Sequence, residues 1–235
     1  MSITIGVSRE IEEIPVRAMI LYFTVNHVKN SDVNPLIYEK TLDVIKKYKE
    51  VMDLSSIKKH HMIRVYRDFL WKLGIDPTKL RPSHEALLRR AIRTGSIPRI
   101  NTIVDIGNYA SLKHLVPVGI YDINKLKPPL TLRLSIDGEA FYPVGAETAK
   151  VLPRGIPLLV DQEKPIHIFP CRDSKFSTVD IKTTRILVIV AGVEGVPEST
   201  LYMASDTIVE YLKTYCDARG VSKYSMVYFG GRKES

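Results

Sequence analysis

At 235 residues, with 45% hydrophobic and 26% charged positions, the chain reads as soluble and globular, with room for one large domain or two small ones. Thirty-four Lys and Arg against 26 Asp and Glu leave a formal charge of +8, which tilts the reading toward a polyanionic partner without requiring one. Cys171 and Cys216 lie far apart and form no CxxC, so neither a zinc site nor a disulfide framework is expected, and a reducing cytoplasm fits best.

The start, "MSITIGVSREIEE", turns acidic too early for a signal or transit peptide. Ile3 to Val7 and Ala18 to Val25 read as strands on either side of Pro15. From Pro35 to Met52 the pattern is helical, with Leu42, Ile45 and Met52 inward and Lys46, Lys47 and Lys49 outward. "MIRVYRDFLWKLG" predicts a second helix with Ile63, Tyr66, Leu70 and Leu73 on one face and Gly74 as its stop. Ser83 suits the N-cap of a third helix, "HEALLRRAIRTG", whose stripe is Leu87, Leu88, Ala91 and Ile92 and whose end is Gly95.

After Pro98 comes "INTIVDIGNYASL", where Asn101, Asp105 and Asn108 fall on one narrow stripe of an otherwise apolar helix. Asn and Asp are poor helix formers, and a buried polar side chain without a hydrogen bond costs about 1 to 3 kcal/mol, so either neighbouring loops or a ligand must meet that seam. Beyond Val116 the chain turns to strands. "LTLRLSIDGEAFYPV" alternates on both sides of Asp137-Gly138, a hairpin signal. Leu158 to Asp161, Ile166 to Phe169 and Arg185 to Val190 are further strands, and the run "ILVIVAGV" is too short to span a bilayer. A last helix, about Ser199 to Ala218, turns Leu201, Ile208, Val209, Leu212 and Cys216 inward before a basic tail. Helices lead and strands follow, which predicts an α+β fold with mixed, largely antiparallel sheets and packed helices. The expected division is an N-terminal α/β segment over 1–75 packed on a main domain over 76–235.

Phosphate-cradling, zincin and nucleophile-elbow motifs are absent from the sequence. His60 and His61 read as a solvated helix start, His84 as an exposed first-turn residue, and nothing pairs His114 or His167 with a carboxylate at metal-ligand spacing. Arg81, Arg89, Arg90, Arg93 and Arg99 crowd a short stretch; they read either as a solvated face or as phosphate grips for RNA.

Taken in order, "RPSHEALLRRA", "IPRINTIVDIGNYASL", "VPVGIYDINKL", "LRLSIDGE" and "RDSKFSTVDIKTTRIL" make the stretch from Arg81 to Leu187 resemble the central tRNA-binding and editing module of the phenylalanyl-tRNA synthetase beta subunit. The resemblance implies a mixed α/β unit whose cleft receives the aminoacylated tRNA 3′ end and hydrolyses the ester of a wrongly attached amino acid. It implies a free-standing copy that does not charge tRNA, with tRNA as partner, no cofactor, no metal and no membrane; it leaves the oligomeric state open. Carried over by position, Asn101, Asp105 and Asn108 organise the cleft wall, Gly119 and Asp122 flank it, and Thr184 lies on the facing strand region. Glu139 and Asp173 are then the candidates to orient water, with Thr178 beside them. Two positions depart from the bacterial pattern: Gly119 stands where those relatives have histidine, and Val190 where they have glutamate. A non-catalytic RNA-binding module and a binding protein for a free amino acid or related metabolite are the alternatives.

Overall fold

The computed structural model describes residues 3–231. The basic end of the chain, Arg232 and Lys233, lies outside the described residues. The N-terminal part contains β1 (Ile5–Val7), the single-turn α1 (Arg9–Glu12), β2 (Ala18–Asn26), α2 (Pro35–Val51), α3 (His61–Lys72), α4 (Ser83–Thr94) and α5 (Thr102–His114). Then come β3 (Val118–Asp122), β4 (Leu130–Leu134), β5 (Glu139–Phe141), β6 (Lys150–Leu152), β7 (Pro157–Val160), β8 (Pro165–Ile168) and β9 (Arg172–Asp173). The chain closes with β10 (Arg185–Val193), α6 (Glu198–Tyr215), β11 (Arg219–Val221) and β12 (Ser225–Phe229).

Two sheets carry the fold. One runs β1-β4-β7-β8-β9, parallel only between β1 and β4; the other runs β11-β2-β10-β3, all antiparallel, with β12 also pairing β2. The α+β class with largely antiparallel sheets is therefore the observed one. β2, from the N-terminal segment, sits between β10 and β11 in a sheet whose other strands come from residues 118–229. β10 reads as an unbroken apolar run because it is buried almost throughout, packed by α3 and α6. Val190, at one of the departing positions, is a fully buried member of that strand, paired with Leu21 and Val118.

Glycines end two helices as their sequence position predicts: Gly74 follows α3 with φ 71° and Gly95 caps α4 with φ 74°, a left-handed backbone that a side chain would resist. The start of α4 differs from expectation. Ser83 is its first residue rather than its cap, because its backbone N–H donates to the Pro170 carbonyl at 3.1 Å and docks the helix on the turn after β8. The hairpin at Asp137-Gly138 also differs. Gly138 makes the turn with φ 78°, yet β4 pairs with β1 and β7 while β5 pairs with β6. The chain leaves the large sheet at Ser135, whose hydroxyl donates to Pro153 O at 2.6 Å and accepts from Ile156 N at 2.8 Å. That tie holds the next strand against β6 instead.

His84 is not exposed. It is fully buried against the Tyr66 ring, 4.4 Å between centroids, with Nε2 3.3 Å from Met62 O. Burial pushes its imidazole down from 6.5 to about 3, and burial first, Lys113 second, pushes His114 down to about 4. The folded state thus keeps His84 neutral at pH values where the unfolded chain binds a proton. Stability should fall as pH drops from 6.5 toward 3, by up to about 1.4 kcal/mol per unit for that one group. Denaturant titrations between pH 7 and 4 check this: His84→Phe should make the acid limb shallower by about one proton, and an unchanged slope would show that His84 is not held neutral.

Candidate functional site

The polar seam of α5 begins outside the helix. Asn101 is the N-cap, its side chain accepting from Val104 N at 3.0 Å, and Asp105 reaches back to accept from Ile100 N at 3.0 Å. The 30–32 loop closes over the same end: Asn30 Oδ1 accepts from Ile103 N at 3.2 Å, and the Thr102 hydroxyl donates to Asp32 O at 2.6 Å. Asp105 Oδ2 is buried without a hydrogen bond among the described residues, and burial raises that carboxyl above its ordinary pKa. Asn108, further along the helix, is half-buried and makes no side-chain hydrogen bond among the described residues.

A second cluster of predicted residues, around Gly119 and Asp173, is organised by Tyr121. Gly119 and Tyr121 share a face of β3, two residues apart, and the Tyr121 phenol folds over Gly119. A Cβ at 119 would overlap Tyr121 Oη and come within 2.7 Å of Cζ. The buried Tyr121 hydroxyl donates to Asp173 Oδ1 at 2.5 Å, and His167 Nδ1 lies 2.9 Å from the same oxygen. Desolvation above all, and Asp173 next, drive the Tyr121 hydroxyl well above its usual pKa, so it stays a donor. His167 arrives there because it faces Asp173 across the β8–β9 ladder, and its Nε2 is buried without a partner.

Both donors use one oxygen of Asp173. The second, Oδ2, has no hydrogen bond among the described residues, and the side chain is 35% exposed. The result is a carboxylate gripped on its inner side and open on its outer side. Thr178 bridges to Tyr121 through the backbone and donates its hydroxyl to Lys175 O at 3.1 Å. Asp122 accepts from the Thr183 hydroxyl at 2.8 Å and from Asn124 N at 2.9 Å. Gly119→Ala should push the buried phenol aside and loosen Asp173, costing about 1 to 3 kcal/mol. A chemical denaturation midpoint equal to that of the unsubstituted chain would refute the contact.

The remaining predicted residues lie elsewhere or are engaged. Glu139 pairs with Arg133 through both carboxylate oxygens and accepts from Ile136 N at 3.1 Å, which holds its pKa below the ordinary value even though burial alone would raise it. Thr184 is exposed and lines a different cleft, about 440 Å³, with His27, Lys29, Asp217 and Arg219. Of the arginines, Arg81 and Arg89 turn toward the fully buried Glu85, as does Arg67. Arg90, Arg93 and Arg99 are exposed, and Arg99 lies 4.8 Å above the Tyr38 ring. A cleft of about 410 Å³ beside Trp71, Lys72 and Glu194 likewise has no lining from Asp173. The signal for Tyr121 was present in "VGIYD", since alternation sets residues 119 and 121 on one side; that for His167 was only its ladder partner, which sequence does not reveal.

The B3/4 domain family matches residues 65–217. The phenylalanine–tRNA ligase beta subunit of Fusobacterium nucleatum is 30% identical over 104 residues, 44% of this chain and 13% of that protein. The same subunit of Pasteurella multocida is 28% identical over 104 residues, and that of Brucella abortus 30% over 107 residues. The match thus spans only 13% of the length of these relatives. Among solved structures, an N-terminal fragment of the phenylalanyl-tRNA synthetase beta subunit from Pyrococcus horikoshii is 16% identical, covering 94% of this chain and 50% of that one with a TM-score of 0.47. No helix among the described residues is long and apolar enough to cross a membrane.

Proposed function

We propose that this chain, which belongs to the B3/4 domain family, binds tRNA and hydrolyses the ester of a mischarged aminoacyl-tRNA in trans. The observation that carries this reading is the outer oxygen of Asp173, unpartnered among the described residues and solvent-facing, on a carboxylate fixed by Tyr121 and His167. A carboxylate that accepts two hydrogen bonds on one oxygen is held in place, and its other oxygen is a well-aimed acceptor. An aminoacyl ester needs little more, since it is already activated and its neighbouring ribose hydroxyl can assist. Water hydrogen-bonded to Asp173 Oδ2 would attack the ester carbonyl; the bond to the ribose oxygen would break, and the proton released by the water would end on that oxygen. Nearby backbone N–H groups are the candidates to stabilise the oxyanion, each well-placed donor contributing about 3 kcal/mol, whereas the Thr178 hydroxyl already spends its proton on Lys175 O.

For the RNA, Arg90, Arg93 and Arg99 are the cations left exposed on and after α4, whereas Arg81 and Arg89 are drawn to Glu85. The test is a panel of charged tRNAs. Release of amino acid from at least one species above the spontaneous rate is the expected result, and a panel left intact rules out the hydrolase. Salt-dependent tRNA binding without release would select the non-catalytic RNA-binding module, a reading favoured by the phenol that covers Gly119. Tight binding of a free amino acid and none of tRNA would select the metabolite-binding protein.

A further inference from the structure

Beside Asp173 the surface carries two exposed aromatic side chains, Tyr142 (36% exposed) and Phe176 (43% exposed). Their ring centroids lie 5.0 Å apart at 60°. Lys175 extends its ammonium over both, 5.3 Å from the Tyr142 ring and 5.5 Å from that of Phe176, and no carboxylate among the described residues pairs with it. Backbone contacts fix this group to the candidate site. Lys175 N donates to Tyr142 O at 2.9 Å, Val144 N donates to Asp173 O at 3.0 Å, and Pro143 bridges Ser174.

Single exposed aromatics are ordinary, whereas two adjoining rings beneath a cation with no carboxylate partner among the described residues make one surface that combines π faces with a positive charge. Its chemistry suits a flat, electron-rich ring attached to a negative charge. A nucleobase with its phosphate is such a group, and single-stranded RNA is commonly held by stacking bases on exposed aromatic rings with a cation beside them. An apolar peptide would leave Lys175 unanswered.

We propose that Tyr142, Phe176 and Lys175 form a stacking platform for the terminal nucleobase of the RNA, which seats the 3′ ester against the outer oxygen of Asp173. This rests on the aminoacyl-tRNA reading above and names the residues that would recognise the end of its substrate.

The experiment measures equilibrium binding of uncharged tRNA, and of the same tRNA lacking only its terminal base, to the wild type and to Phe176→Ala, Phe176→Tyr and Lys175→Gln. Both aromatic substitutions are at an exposed position, and thermal melts confirm that the variants fold. Removing the base should weaken wild-type binding about tenfold, and Phe176→Ala should weaken binding of intact tRNA about as much. The two losses should not add, Phe176→Tyr should restore affinity, and Lys175→Gln should lower the salt slope by about one. Additive losses, or a Phe176→Ala variant as sensitive to base removal as the wild type, would overturn the platform. A wild type that deacylates tRNA yet shows no coupling overturns the platform alone; coupling without deacylation upholds it and overturns the hydrolase. A wild type that neither binds nor hydrolyses tRNA overturns both.

Discussion

Asp173→Asn should lower kcat/KM for deacylation by about 100-fold or more, with little change in fold stability or in affinity for uncharged tRNA. The substitution keeps a carbonyl oxygen where Oδ1 accepts from Tyr121 and lies beside His167 Nδ1, so the two inner hydrogen bonds survive. At the outer position it exchanges an acceptor for an amide N–H₂ donor. A water that needs an acceptor there can no longer be aimed by it. Asp173→Ala is the informative contrast: it leaves the buried Tyr121 hydroxyl and His167 Nδ1 without their partner, which should add a stability loss of about 1 to 3 kcal/mol to the loss of activity. A deacylase that tolerates Asp173→Asn with unchanged kcat/KM would remove Asp173 from the chemistry. The denaturation midpoints of the two variants separate the structural role of the inner oxygen from the role assigned to the outer one.

The sequence made some of this architecture visible and hid the rest for identifiable reasons. β2 and β10 are legible because strands buried on both faces read as continuous apolar runs, and α3 and α4 end where Gly74 and Gly95 permit a left-handed backbone. The buried stripe of α4 was read only from Leu87 onward. In the structure it includes His84, Glu85, Leu88, Ala91 and Ile92, at helical spacing throughout. The pattern is present, but a polar His84 in a first turn reads as surface and a Glu85 adds no apolar signal; their burial depends on Tyr66 and Arg67 of α3, nearly twenty positions earlier. The hairpin reading failed for a similar reason. Alternation around Asp137-Gly138 is a local property, whereas strand partners are chosen by the sheet that β4 joins and by the tie at Ser135. At the site, the resemblance names Asp173, but the grip on it belongs to tertiary pairing: Tyr121 comes from β3 of one sheet and His167 from β8 of the other.

Glu85→Ala should be among the most destabilising single substitutions in the chain. Its carboxylate is fully buried. Arg67 Nη1 donates to both carboxylate oxygens at 3.1 Å, Arg89 Nε donates at 2.7 Å, and Arg81 Nε stands 3.6 Å away. The Arg67 and Arg89 side chains are only 14% and 25% exposed, so water replaces their lost partner poorly, while Arg81, at 37%, is more open to solvent. Deleting the one negative charge leaves three positive groups converging on a cavity, and breaking such a buried pair costs about 3 to 5 kcal/mol. For a chain of this length that corresponds to a fall in Tm of about 6 to 20 °C. Added salt should recover little of it, since buried charges are poorly screened. Glu85→Gln keeps one acceptor oxygen and the side-chain volume, so its loss should be smaller. It should also loosen Arg81 and Arg89 and raise the net charge by one, which predicts tighter, more salt-sensitive binding of tRNA if α4 faces the RNA. A Glu85→Ala midpoint within about 1 kcal/mol of wild type would mean the arginines are solvated rather than clamped. Arg81 and the α4 arginines would then be a free cationic face, and all of them, not Arg90 and Arg93 alone, would be available to phosphate.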